Sequence, residues 1–379
     1  MNILLTFVLL LAMAKLGGEL VEHLRYPSIL GELAGGIILG PSVLGVIDVS
    51  GAVESVGYIG ILLLMFLAGA ETNLEDLSRT GKTAVVVAMF GVIVPFVFGA
   101  SLAMAYGYTV IVSLFVGATL AATSVGITVR VLLDAGRLNT PVGLTILGAA
   151  VMDDIIAVLV LTILAGVASA SRIGAFQVAR ILLLMAGFFI LAAIIGRVVV
   201  GKVILLTHML KTEDAVESLA IIFILLLSLL AEEMYVAGIT GSFVAGLIIA
   251  RTPEKDHVVM NTKVIGYAFF IPLFFAMVGA RADIRAVGAV GLFGVALVAV
   301  AVGGKVVASY AACRCRKVCR RDAFAIGIGM TPRMEVALVI ANTGLVSGII
   351  GTDLYAAVIL MAFATTLVTP PLLKKALAT

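Results

Sequence analysis

The chain has 379 residues, 62% of them hydrophobic and 12% charged, with a net charge of +3. Soluble domains carry about 25% charged residues, so this composition excludes a soluble globular protein and implies an integral membrane protein. The near-neutral balance gives no footing for nucleic acid, and the apolar segments leave no room for a sizeable soluble domain.

Thirteen segments are apolar over about the 20 residues that cross a bilayer as a helix. They lie near 2–22, 28–47, 53–71, 82–106, 108–133, 142–168, 175–206, 215–232, 235–250, 264–280, 286–312, 322–348 and 352–376. The first has no basic residue before Lys15 and no cleavage site, so it reads as a span rather than a secretory signal. The seventh is long and is expected to tilt or to extend beyond the membrane. Loops that follow odd-numbered spans hold eighteen Lys and Arg residues, against four in the even loops. The positive-inside rule then places the N-terminus outside and the C-terminus in the cytoplasm of a multi-pass cell-membrane protein.

Span centres repeat at an offset of about 208 residues, pairing spans one to six with spans eight to thirteen. Seven spans separate each pair, so the halves run in opposite directions. Inverted repeats are a mark of secondary transporters. Spans five and twelve carry interruptions at matching places. One is Ala122-Thr123-Ser124-Val125-Gly126; the other is Gly327 to Glu335, around Thr331-Pro332-Arg333. Ser124 and Pro332 are 208 residues apart, the offset of the repeat. Pro332 lacks a backbone donor and disfavours helix at Thr331. Either interruption alone reads as a simple kink; the pair points to a transport site. Unwound backbone is tolerated at membrane depth only where protein or a water-filled cavity covers it. Thr123 and Ser124 supply hydroxyls and freed carbonyls suited to a hard cation. Arg333 and Glu335 flank Pro332 and are expected to pair with each other, with Arg333 also offsetting the negative end of a half-helix.

Span six places Asp153 and Asp154 side by side in an apolar stretch. A carboxylate at that depth is expensive and marks a functional site. The pair lies about 11 residues, roughly 17 Å, from the cytoplasmic start of the span. Lys305 in span eleven lies about 7 residues, roughly 10 Å, from its own cytoplasmic end. It either snorkels to the interface or meets one of the acids. Adjacent helical residues point about 100° apart, so the two acids cannot face one partner. One can pair with Lys305 while the other faces a cavity. A site that holds a proton or a cation, never both, is the minimal device for antiport. An aspartyl protease is excluded, because adjacent residues on one helix cannot share a water. A sodium-coupled organic-solute symporter would need a substrate-sized polar surface, and none is evident.

Other groups are weaker. Glu32 sits at a glycine-lined interface near the cytoplasmic end of span two. Glu71, Glu75 and Asp76 read as solvated loop, and Glu232 and Glu233 as a solvated outer helix end. His23, His208 and His257 map to cytoplasmic loops. Cys313, Cys315 and Cys319 fall in one basic loop, where reduced thiols are expected and the spacing fits no zinc pattern.

With Asp153-Asp154, Lys305, Gly329-Met330-Thr331-Pro332-Arg333-Met334-Glu335, Ala122-Thr123-Ser124 and the opening Arg25 to Gly35 with Gly40-Pro41, the chain resembles the second monovalent cation:proton antiporter family. It looks most like its NapA-type sodium/proton exchangers, over nearly its whole length. The resemblance implies an all-α polytopic fold of about thirteen helices, in two inverted six-helix repeats with crossed broken helices. It implies a dimerisation domain from residues 1–81 and 213–285, a core domain from 82–170 and 286–379, and a linker helix over 171–212. It implies a homodimer in the lipid bilayer, elevator-type transport, no cofactor, and monovalent cations and protons as cargo. Carried over, Asp154 is the cation and proton carrier and Asp153 the partner of Lys305. Potassium-exporting relatives usually have Gln-Asp where this chain has Asp-Asp, and often a nucleotide-binding domain; this chain ends soon after Lys374-Lys375. Both points favour sodium or lithium over potassium. Met334 replaces a glycine frequent in relatives. The expected activity is electrogenic sodium/proton exchange, with no enzyme chemistry.

Overall fold

The computed structural model describes residues 3–24, 26–41, 43–47, 49, 51–168, 175–209, 215–281 and 286–378. Every regular element among them is helical. In chain order these are α1 (Ile3–His23), α2 (Ser28–Leu39), α3 (Gly51–Glu71), α4 (Leu74–Ala105), α5 (Val110–Ala121), α6 (Val125–Asp134), α7 (Pro141–Ala168) and α8 (Ala175–Met209). They continue with α9 (Ala215–Glu233), α10 (Gly238–Ile249), α11 (Lys255–Ile265), α12 (Ile271–Ala280), α13 (Ala286–Cys315), α14 (Arg320–Gly329), α15 (Glu335–Val346) and α16 (Thr352–Ala378). Among the described residues, nine helical segments are long and apolar enough to cross a membrane unaided.

Each expected apolar segment is helical, with instructive differences at the ends. Segment two stops at Leu39 rather than 47, because Pro41 disfavours helix at Gly40, which caps α2 in an extended conformation. α4 starts at Leu74, not near 82. The Asn73 side chain accepts from the Glu75 and Asp76 amides, and both acids sit at the positive end of the helix. Glu75 and Asp76 are therefore helical, not loop. The 81/82 domain boundary lies inside α4. The boundaries at 170/171 and 212/213 fall outside the described residues, as does residue 285. Before Pro272 the chain widens into a π-turn over Gly266–Phe270 that joins α11 to α12. Proline cannot donate, and its ring crowds the carbonyl four residues back; a π-turn accommodates that locally. Cys313 and Cys315 belong to α13, and Cys319 caps α14, so the cysteines do not share one loop.

α2 packs between α1 and α12, and α10 between α9 and α3. Glycines permit both approaches. Gly31 lies on Gly17 of α1 and Gly36 on Ala276 of α12; Gly241 lies on Leu227 of α9 and Gly246 on Phe66 of α3. The two sets stand 210 residues apart, close to the offset seen in the sequence. Replacing Gly36 by Leu should push α2 off α12 and cost about 1–3 kcal/mol or more by overpacking. Thermal melting in detergent, beside the wild type, reads that loss.

α4, α5, α7, α13 and α16 form a second packed group. Its buried side chains include Phe115, Leu120, Ala157, Leu297, Leu354 and Met361. A separate apolar seam joins the two groups. Ile155, Val158 and Leu159 of α7 meet Ile181, Met185 and Phe188 of α8, with Ala231 and Val236 at the α9–α10 turn.

Candidate functional site

Both interruptions are present, and they touch. α5 ends at Ala121 and α6 begins at Val125; α14 ends at Gly329 and α15 begins at Glu335. The Ser124 amide donates to the Pro332 carbonyl at 2.8 Å. Thr128 of α6 donates to the Gly329 carbonyl at 2.6 Å. Backbone groups freed by one break thus satisfy groups freed by the other, which is what permits unwound chain at this depth.

Two buried cations hold the carbonyl end of α5. Lys305 Nζ donates to Ala121 O at 3.3 Å, and Arg333 Nη1 donates to Ala122 O at 2.6 Å. Cations at a helix C-terminus offset its negative partial charge. Arg333 Nη1 also donates to Thr123 Oγ1 at 3.2 Å, and its backbone is held by Thr365 and Thr366 of α16. The expected Arg333–Glu335 pair involves a Glu335 side chain outside the described residues. Arg333 Nη1 braces the opposite break.

The adjacent acids take different partners. Asp153 is fully buried, and its Oδ2 accepts from Lys305 Nζ at 2.6 Å and from Thr123 Oγ1 at 2.6 Å. Lys305, also fully buried, adds a bond to Gly91 O at 2.7 Å. Lys305 therefore does not snorkel; its donors are used inside the protein. A Cβ at Gly91 would come 2.9 Å from that ammonium and would force it to shift from its partners. Asp154, 5% exposed, accepts at Oδ2 from Thr240 Oγ1 of α10 at 3.1 Å. Ser124 Oγ, Asp153 Oδ1 and the Arg333 Nε and Nη2 atoms find no hydrogen-bond partner among the described residues.

Three parts of this site were not read from the sequence. Gly91 acts through its carbonyl and leaves no side-chain signal. Thr240 looks like any threonine in an apolar helix. Arg130 is one of the eighteen cations assigned to the loops after odd-numbered spans, yet it is buried on α6. It pairs with Asp134 at 2.8 Å and Glu32 at 3.6 Å, and lies over the Tyr267 ring at 4.4 Å. The four-residue spacing of Arg130 and Asp134 was the available clue. Glu71 closes α3 and pairs with Lys263, and Glu232 accepts from Tyr58 at 2.5 Å. His257 pairs with Glu217 and His23 with Glu19, while the His208 side chain lies outside the described residues.

A cavity of about 930 Å³ opens between α3 and α12 on one side and α15 and α16 on the other. It is lined by Glu54, Tyr58, Arg281 and Tyr355, and it reaches Met334 beside the second break.

Known proteins share this architecture. The sodium proton antiporter MjNhaP1 of Methanocaldococcus jannaschii superposes with a TM-score of 0.73 at 18% identity, covering 98% of this chain and 95% of its own. The Na(+)/H(+)-K(+) antiporter GerN of Bacillus cereus is 36% identical over 368 residues, 97% of this chain and 94% of the relative. The high-affinity Na(+)/H(+) antiporter NhaS3 of Synechocystis is 33% identical over 416 residues, 98% of this chain and 89% of the relative. The profile of the transmembrane sodium/hydrogen exchangers matches residues 7–378. The chain belongs to the sodium/hydrogen exchanger family.

Proposed function

We propose that the protein is a secondary active antiporter that exchanges sodium or lithium for protons across the cytoplasmic membrane. The observation that carries this reading is the division of labour between the adjacent acids. Asp153 is committed to Lys305 and Thr123, whereas Asp154 accepts from an uncharged hydroxyl. Asp154 is then the group that exchanges a proton for a cation. Among the described residues no three His, Cys, Asp or Glu side chains converge, so a cation at Asp154 draws on hydroxyl and carbonyl oxygens. Those suit hard monovalent ions. Ser124 Oγ is the better hydroxyl candidate, because Thr123 already donates to Asp153. Pro332 and Arg333 hold the crossing in place, with Glu335 at the start of α15. The reading needs no cofactor.

In this reading α4 to α7 and α13 to α16 form a core that moves against a dimerisation domain of α1 to α3 and α9 to α12, with α8 linking the halves. The protein is a homodimer with its N-terminus outside. The cavity at Glu54 and Arg281 is the external entrance. Exchange is electrogenic, because Lys305 and Asp154 both release protons when a cation binds.

The GerN relative, named for potassium as well as sodium, favours a second reading in which potassium is also carried. Proteoliposomes settle the choice. Addition of sodium or lithium should dissipate an imposed pH gradient, read by a pH-sensitive dye, and sodium jumps should give a net current. A response to potassium alone would select the second reading. Transport without current would remove the electrogenic step.

A further inference from the structure

Hydroxyls in apolar helices usually satisfy themselves within one turn by donating to a carbonyl behind them. Thr119, Ser228, Thr343, Thr365 and Thr369 all do so here. Thr240 departs from that habit. It is buried, and its hydroxyl leaves α10 to donate to Asp154 of α7. The bond runs across the apolar seam, from the packed group of α3, α9 and α10 to the group that holds the crossed breaks. Asp153 is different, because Thr123 and Lys305 both belong to its own group.

α10 is itself firmly seated. Ser242 donates to the Leu62 carbonyl of α3 at 2.5 Å, and a side chain at Gly241 would come 2.5 Å from the Leu227 carbonyl of α9. Thr240 is thus a fixed donor. If the core moves, Asp153 travels with its partners and Asp154 leaves Thr240 behind.

We propose that Thr240 is the lock on the empty carrier: it ties ionised Asp154 to the dimerisation domain and lets go when a proton or a cation takes the carboxylate. The proposal rests on the reading of Asp154 as the exchanged group and of the core as the moving part. Antiport requires that an empty carrier not cross, since each empty crossing uncouples one ion from the other. A hydroxyl bonded to a carboxylate is charge-assisted and about twice as strong as a neutral hydrogen bond. A proton on Asp154 removes the charge that strengthens it. A bound cation occupies the carboxylate lone pairs and repels the hydroxyl hydrogen that had been donated to them. The tie is therefore strongest in the one state that must stay put. Asp153, paired with Lys305 of α13, precedes Asp154 on α7, and α10 contributes no ionisable side chain between Gly238 and Ile249.

The test compares full-length wild type, Thr240→Val and Thr240→Ser in proteoliposomes loaded with radioactive sodium. The outer buffer is sodium-free, and the membrane potential is clamped. Wild-type efflux should fall at strongly alkaline pH, because the carrier returns only when protonated. Thr240→Val should keep leaking there, by about tenfold over wild type, as expected for loss of one charge-assisted bond. Its proton-to-sodium ratio should drop, and Thr240→Ser should restore both. Thr240→Ala gives the same readout if valine disturbs folding. An unchanged alkaline efflux and an unchanged ratio would overturn the lock. So would a raised sodium KM at an unchanged ratio, which would make Thr240 a cation ligand. Retained exchange in Asp154→Asn would overturn the carrier reading beneath it, and that result is read independently of Thr240.

Discussion

Asparagine at position 154 brings sodium-driven proton movement down to the level of protein-free vesicles. The amide neither titrates nor carries charge, so it holds neither form of the cargo. It does keep an acceptor oxygen for Thr240, whose hydroxyl lies 3.1 Å from the carboxylate in the wild type. A neutral group is also cheaper to bury than a charge. The variant should therefore stay folded and monodisperse while transport disappears, and size-exclusion profiles beside dye dequenching check both halves. Asp153→Asn should behave in the opposite sense. It leaves Lys305 buried without its counter-charge, so the melting temperature falls while Asp154 remains to bind sodium. Substantial exchange by Asp154→Asn would sink the carrier assignment.

The second large effect lies at Lys305. Lys305→Met strands a fully buried Asp153 without the ammonium 2.6 Å away. Breaking one side of a buried pair costs about 3–5 kcal/mol, whereas replacing both sides is often neutral. Lys305→Met should melt far below wild type, and the double variant Asp153→Asn with Lys305→Met should recover most of the loss. Lys305→Gln, which keeps a donor for Asp153, should still exchange sodium for protons but without net current. A sodium-induced current of wild-type size in that variant would remove Lys305 from the proton count.

Much of this was legible in the chain because the bilayer allows few structures. With no water to satisfy the backbone, apolar runs are expected to be helices, and each expected segment contains one. Pro332 and its partner break at Thr123-Ser124 were readable because interruption is costly there and the two sit at the repeat offset. Depth brought Lys305 within reach of the acid pair but left snorkelling open as the alternative. Which acid it meets was not legible, since a helical wheel fixes an angle between neighbours but not which way the helix is turned. Thr240 was invisible for another reason. It lies 86 residues from Asp154, and threonine in an apolar helix has an ordinary explanation close at hand. Arg130 was misplaced because counting loop cations treats every arginine as a surface charge, and here Glu32 and Asp134 compensate a buried one.

The apolar seam between α7 and the α8–α10 group carries a mechanical consequence. Ile155, Val158 and Leu159 face Met185, Phe188 and Val236, and contacts of this kind are numerous, individually weak and without direction. Such a surface has almost no preferred register, so it would serve the proposed movement as a bearing. A bearing does not stop anything. If the core moves as proposed, its stopping points have to come from directional contacts between the groups, among them Thr240 on Asp154 across this seam, Glu32 of α2 on Arg130 of α6, and Asn139 on the Glu71 carbonyl of α3. Those contacts act as detents. Their strength relative to one another would set where the proposed moving core rests between ions, while the seam itself would set only how freely it slides.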